Sequence, residues 1–188
     1  MSSSRVEYPM GRDEIIHNLL RFDEEARIVL EKYSVKPKVV IMGGSAFILT
    51  EHLDRVTHDI DVLSLPRELY YVLGIHNMNQ QVSAYVDNLP QNYENRLVSL
   101  ELGETLLDYF TPALEDLVVT KLYSLRPQDS EDISSENVLR DINWELLEHL
   151  VYDEDEAQAS KIVEHRYKEM VKNFEAYKKE HRNESVDL

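Results

Sequence analysis

Two short stretches carry side chains whose types and spacing could do chemistry. Asp59-Ile60-Asp61 has the alternation that, on a β-strand, turns both carboxylates to one face and sends Ile60 and Val62 to the other. Carboxylates held side by side repel each other, and a divalent cation between them relieves the repulsion. Hard oxygen ligands of this kind suit Mg2+ or Mn2+. Upstream, Gly43-Gly44-Ser45 follows the apolar run Val39-Val40-Ile41-Met42. A glycine pair lets backbone approach a phosphate with no Cβ in the way. Ser45 is placed to cap a helix, whose first N–H groups and hydroxyl would face an anion. A triphosphate with its metals can bridge the glycine turn and the aspartate pair. Either half alone is commonplace. A Gly-Gly after a strand is usually a tight turn, and Asp-x-Asp often decorates a surface or serves glycosyltransferases. Order and spacing together are what carry the reading.

The elements that must position these groups follow from periodicity. Apolar residues recur at helical spacing from Asp13 to Tyr33, and Pro37 sits in the break after them. Val39 to Met42 reads as a buried strand, Ala46 to about Leu53 as a helix and residues 54–58 as a polar turn. Asp59 to Leu65 then reads as a second strand. Pro66 opens a further helix through Leu73, and another is expected from Gln80 to about Asp87. Arg96–Leu102 and Thr105–Phe110 read as two strands about a turn at Gly103-Glu104. Pro112 starts a helix through Leu125, two shorter helices end near Leu150, and a long helix runs from about Asp155 to Arg182. On that last helix Val163, Tyr167, Met170, Phe174 and Tyr177 form one apolar seam, directed at the chain's own core or at a second copy in a homodimer.

Composition sets the limits. The chain has 188 residues, no cysteine and a net charge of −16. Disulfides and thiolate metal sites are therefore excluded. No apolar run reaches the ~20 residues needed to cross a bilayer, so no membrane partner is expected. The N-terminus shows no secretory pattern, which makes a cytoplasmic location the expectation. So acidic a chain repels nucleic acid on average, and any such contact requires a local basic patch. Residues 1–9 are expected to be disordered, residues 10–135 to form the domain carrying the site, and residues 136–188 to form a helical C-terminal extension.

The stretch GGSAFILTEHLDRVTHDIDVL resembles the signature of nucleotidyltransferase-fold proteins of the DNA polymerase β type. Its Arg55-x-Thr57-x-Asp59-x-Asp61 form resembles the abortive-infection toxin branch (AbiEii/AbiGii-like), as does ALEDLVVTKLYSLRPQDSEDI with Lys121, Arg126, Asp129 and Asp132. The resemblance covers about residues 37–135. It implies an α+β fold, a small mixed β-sheet flanked by helices with a helical C-terminal part. It also implies that Asp59 and Asp61 hold the metals and Gly44-Ser45 the β- and γ-phosphates, and that Lys121 reaches phosphate or acceptor. Arg55 and Thr57 would touch the triphosphate or lock the turn, and Arg126 would pair with Asp129 or Asp132. Enzymes of this type usually add a third carboxylate from a neighbouring strand. Asp108, alone among apolar residues in LLDYF, is the candidate, with Glu101 behind it.

The implied activity is metal-dependent transfer of a nucleoside monophosphate from a nucleoside triphosphate to the hydroxyl of an RNA end or protein side chain. The branch further implies the toxin of a toxin–antitoxin pair, with an antitoxin partner. The alternative is a catalytically silent nucleotide-binding or protein-interaction module on the same fold. A glycosyltransferase is disfavoured, because a nucleotide-sugar domain of the usual size does not fit in this length.

Overall fold

A computed structural model describes residues 8–30, 36–80, 87–124, 126–153, 155–156 and 164–182. The fold is α+β. Contacts divide the chain into two units, residues 1–82 with 98–111 and residues 83–97 with 112–188. The expected boundary near residue 135 thus gives way to an interleaved division, and the expectation for residues 1–7 lies outside the described residues.

Unit 1 is built on a five-stranded mixed sheet of order β3-β2-β1-β5-β4. The strands are β1 (Lys38–Met42), β2 (Ile60–Ser64), β3 (Met78–Asn79), β4 (Val98–Ser99) and β5 (Asp108–Thr111). β1 lies antiparallel to β2 and parallel to β5, β2 is parallel to β3, and β4 is antiparallel to β5. Residues 39–42 of the central strand are all buried, as expected of an apolar run with neighbours on both edges. Helix α1 (Arg12–Val29) buries Ile15, Leu19, Phe22 and Ala26, one side of its 3.6-residue repeat. Its Asp23 is buried too, and accepts the backbone N–H groups of Leu106 at 2.8 Å and Leu107 at 2.9 Å. Tyr109 sends its hydroxyl to the Leu19 carbonyl at 3.1 Å. The carboxylate and the phenol therefore tie α1 to the lead-in and body of β5.

Several elements are shorter than the periodicity predicts. The helix expected after Pro66 is two 3-10 turns, Arg67–Leu69 and Leu73–His76, ending at Asn77 in the left-handed region (φ 54°). A strand, β3, follows directly, and a continuous helix would have overshot it. The helix expected from Gln80 to Asp87 falls largely on residues 81–86, outside the described ones.

Unit 2 is helical in its described residues. It holds α3 (Leu114–Leu122), α4 (Pro127–Ile133), α5 (Glu136–Asp141), α6 (Trp144–Tyr152) and α7 (Glu164–His181), with a 3-10 turn at Tyr93–Arg96. Met170, Phe174 and Tyr177 of the expected seam are buried within the unit. The Tyr177 hydroxyl donates to the Ile133 carbonyl at 2.7 Å, and that of Tyr167 to Val151 at 3.0 Å. The seam therefore packs on its own unit, and Val163 lies outside the described residues. No helix among the described residues is long and apolar enough to cross a membrane.

Candidate functional site

The site grows from the end of β1. Gly43 follows Met42 with φ +62°, a left-handed conformation that a residue with a Cβ resists. The same glycine faces Asp61, and a Cβ built on it would collide with Asp61 Oδ2. A Cβ on Gly44 would stand 2.6 Å from Arg55 Nη2. The two glycines thus admit a carboxylate and a guanidinium onto bare backbone. Helix α2 (Gly43–Leu49) starts at this turn and buries Ala46, Phe47, Ile48 and Leu49.

Ser45 departs from its expected place. It is the third residue of α2 rather than the cap, is 1% exposed, and donates its hydroxyl to the Met42 carbonyl at 2.9 Å. Met42 stands at the cap position, so the hydroxyl proton is spent inside the turn.

Strand β2 returns antiparallel to β1, with Asp61 paired to Met42. Ile60 and Val62 are fully buried and Asp61 is half-buried, the alternation expected of the strand. Asp59 lies just before β2 and is exposed. Its Oδ2 accepts Asn79 Nδ2 at 3.1 Å, and its backbone carbonyl accepts the Thr57 hydroxyl at 3.2 Å. Thr57 also exchanges backbone hydrogen bonds with Met10, at 2.7 and 2.9 Å. Thr57 therefore locks the turn that delivers Asp59, the second of its two expected roles. Arg55 reaches back to the Val56 carbonyl at 2.9 Å and lies over Gly44.

Asn79 was invisible to motif reading, because it lies in the polar stretch Asn77-Met78-Asn79-Gln80, outside both signatures. The parallel pairing of β3 with β2, which sets Asn79 opposite Asp61, is what brings it to the carboxylates. No local sequence signal announces a two-residue strand.

Asp108 is not brought to the pair. It opens β5 level with Lys38, the first residue of β1, while Asp61 pairs with Met42, the last. Four positions along β1 correspond to about 13 Å. Its carboxylate is half exposed, with Lys36 Nζ 3.9 Å away. The β5 residues that continue toward the Met42 end are Phe110, opposite Val40, and Thr111, and neither can ligate as an acid. Glu101 is exposed. Among the described residues no three His, Cys, Asp or Glu side chains gather as a metal-binding group.

Lys121 belongs to unit 2, and there it is 7% exposed. Its Nζ donates to Asp129 Oδ1 and, at 2.8 Å, to Asp132 Oδ2. Arg126 Nε reaches Asp129 Oδ2 at 2.7 Å, as expected, and the Ser124 hydroxyl donates to the same oxygen at 2.5 Å. Burial pushes the Asp129 carboxyl up, but hydrogen bonds from Arg126, Lys121 and Ser124 outweigh it and hold it below the ordinary aspartate value. The second motif therefore forms an ionic cluster around the buried Lys121, Asp129 and Asp132.

Asp61 against Gly43, and Asp59 beside Asn79, offer hard oxygen donors of the kind a divalent cation takes. Mg2+ is commonly held by one or two carboxylates, with water and substrate phosphate completing its shell, so two aspartates suffice to hold one. A family model described as a nucleotidyltransferase of unknown function (DUF6036) matches residues 17–182. No curated protein and no solved structure matches the chain.

Proposed function

The chain belongs to this nucleotidyltransferase family, and we propose that it binds a nucleoside triphosphate with Mg2+ or Mn2+ at the Gly43-Gly44 turn and moves the nucleoside monophosphate to an acceptor hydroxyl, which loses its proton as pyrophosphate leaves. The observation that carries the reading is Asp61 seated against Gly43, with Arg55 over Gly44. Carboxylate, bare backbone and guanidinium converge there, which is what a metal-bound triphosphate requires. Asp59 and Asp61 would hold the cation, which when bound neutralises phosphate charge and polarises the reacting phosphorus. Asn79 and Thr57 fix Asp59, and the backbone of the turn with Arg55 meets the phosphate oxygens. The acceptor is an RNA end or a protein side-chain hydroxyl. The Arg55-x-Thr57-x-Asp59-x-Asp61 pattern supports a toxin held by an antitoxin partner.

One observation favours a second reading. Asp108 stands level with the start of β1, and no third acid joins the pair among the described residues. A site without a carboxylate to take the acceptor's proton suits a module that binds nucleotide without turnover. One experiment serves both. Nucleoside triphosphate with Mn2+ should raise the melting temperature, as any ligand of the native state does, and Asp59→Asn with Asp61→Asn should remove the rise. An undiminished metal-dependent rise in the double variant would place the site elsewhere. Incubation with α-labelled triphosphates and cell extract then separates the readings: a labelled acceptor marks a transferase, and binding without labelling marks the module.

A further inference from the structure

Unit 2 holds a cation that no described carboxylate neutralises. Arg166, near the start of α7, is half-buried. Its Nη2 donates to Asn88 Oδ1 at 3.0 Å, and its guanidinium lies 5.7 Å from the centroid of the Tyr123 ring. Among the described residues no carboxylate pairs with it, although the chain carries 36 acidic residues against 20 basic ones. A guanidinium offers five N–H donors in a planar fork, so the Asn88 contact leaves most of them to other partners. Holding such a charge partly out of water without a counter-ion is unfavourable.

Arg166 lines a cavity of about 230 Å3 together with Asn88, Tyr123, Ser124, Arg126 and Asp129. The local charges sum in favour of an anion. Lys121 and Arg126 balance Asp129 and Asp132, and Arg166 is left over. The Arg126 side chain is 65% exposed and lines the same cavity, so its guanidinium is accessible to a ligand beside Asp129. Two guanidiniums lining one cavity suit the oxygens of a phosphate, and suit a dianion better than a single carboxylate charge. The volume admits a phosphate with its sugar.

We propose that this cavity in unit 2 is a phosphate-binding site, with Arg166 as its principal ligand and Arg126 and Asn88 assisting. The phosphate is either a free anion or the terminal phosphate of an RNA. The assignment stands independently of the triphosphate site on unit 1.

The test is calorimetric titration of the full chain in EDTA, which keeps metal-dependent nucleotide binding out of the signal. The titrants are inorganic phosphate, a short 5′-phosphorylated oligoribonucleotide and its 5′-hydroxyl twin. Phosphate-bearing titrants should bind. Arg166→Gln should weaken them by about tenfold or more, and Arg166→Lys should restore part of the loss. The variant carrying both Asp59→Asn and Asp61→Asn should bind as the parent does. Phosphate as tight as the oligonucleotide marks a free anion, whereas a tighter oligonucleotide with a silent hydroxyl twin marks an RNA end, and both support the site. Absence of binding, equal binding of the hydroxyl twin, unweakened binding by Arg166→Gln or loss in the aspartate double variant would each overturn it. Should Arg166→Gln unfold by circular dichroism, Arg126→Gln takes its place, and unweakened binding there overturns the proposal equally.

Discussion

Gly43 and Asn79 bracket the aspartate pair from opposite sides, one by having no side chain and one by having the right amide. Gly43→Ala adds a Cβ against Asp61 Oδ2 at a backbone with φ +62°. The left-handed conformation alone costs about 1–2 kcal/mol, and Asp61 must also move. Urea unfolding should show a loss of at least that size, and nucleotide–metal binding should fall with it. Wild-type stability in this variant would mean the turn relaxes freely. Asn79→Ala removes the 3.1 Å hydrogen bond to Asp59 and leaves the backbone pairing of β3 in place. Mn2+ affinity, read by paramagnetic relaxation of water, should drop by about 10- to 100-fold, the usual cost of losing a ligand's supporting partner. Asn79→Gln, with the same amide on a longer stem, should recover part of it. Unchanged Mn2+ affinity in Asn79→Ala would reduce Asn79 to edge-strand packing. The two positions differ in legibility. The glycines and Asp61 lie in one continuous signature, where type and spacing suffice. Asn79 reaches them only through strand pairing, which local spacing does not encode.

Elements were legible where one repeat persists over several turns. α1 and the buried residues of α7 sit where 3.6-residue spacing puts them. Legibility failed where tertiary pairing truncates an element. LLDYF does form a strand, but β5 begins at Asp108, and its partner β4 is only Val98–Ser99. Apolar alternation says that a segment is extended; it does not say against which neighbour, or at what level. That is why Asp108 could be assigned to a strand correctly yet stand at the other end of β1 from Asp61. α7 provides the test at this scale. Phe174 is fully buried, and Tyr152 meets its ring edge-on at 5.6 Å. Phe174→Ala should cost about 3–5 kcal/mol in chemical denaturation. A change in solution mass without that loss would instead place the seam between copies.

At the scale of the whole molecule, the sequence reading placed a single boundary near residue 135, whereas residues 83–97 join residues 112–188 in unit 2. An ionic network whose members are far apart in sequence links these segments. Arg96 binds Asp116 through Nε at 2.9 Å and Nη2 at 2.8 Å, and its Nη2 also reaches Glu156 at 3.2 Å. Asn92 donates to Glu156 through its backbone N–H and its amide. Periodicity is blind to such a knot, and a single Arg in a polar stretch gives no hint of it. Asp116 is fully buried, and burial holds its carboxyl above the ordinary aspartate value even though Arg96 pulls it down. Arg96→Met leaves that charge without its partner, at a cost of about 3–5 kcal/mol near neutral pH. Removing Arg96 also removes the downward pull, so the folded-state pKa of Asp116 rises further above its unfolded value near 4. A folded state that binds the proton more tightly gains stability as pH falls through its own pKa, and the gain is complete below the unfolded one. Glu156 is shifted the other way. Burial raises it, but hydrogen bonds from Asn92 and Arg96 hold it below the ordinary glutamate value, so in the parent it stays ionised at mildly acid pH. The deficit of Arg96→Met relative to the parent should therefore shrink between pH 7 and about pH 5, as Asp116 takes up its proton and no longer needs a cation. Paired denaturation curves at the two pH values check this. An equal deficit at both would mean that Asp116 finds another donor, and that Arg96 joins the two segments by packing rather than by charge.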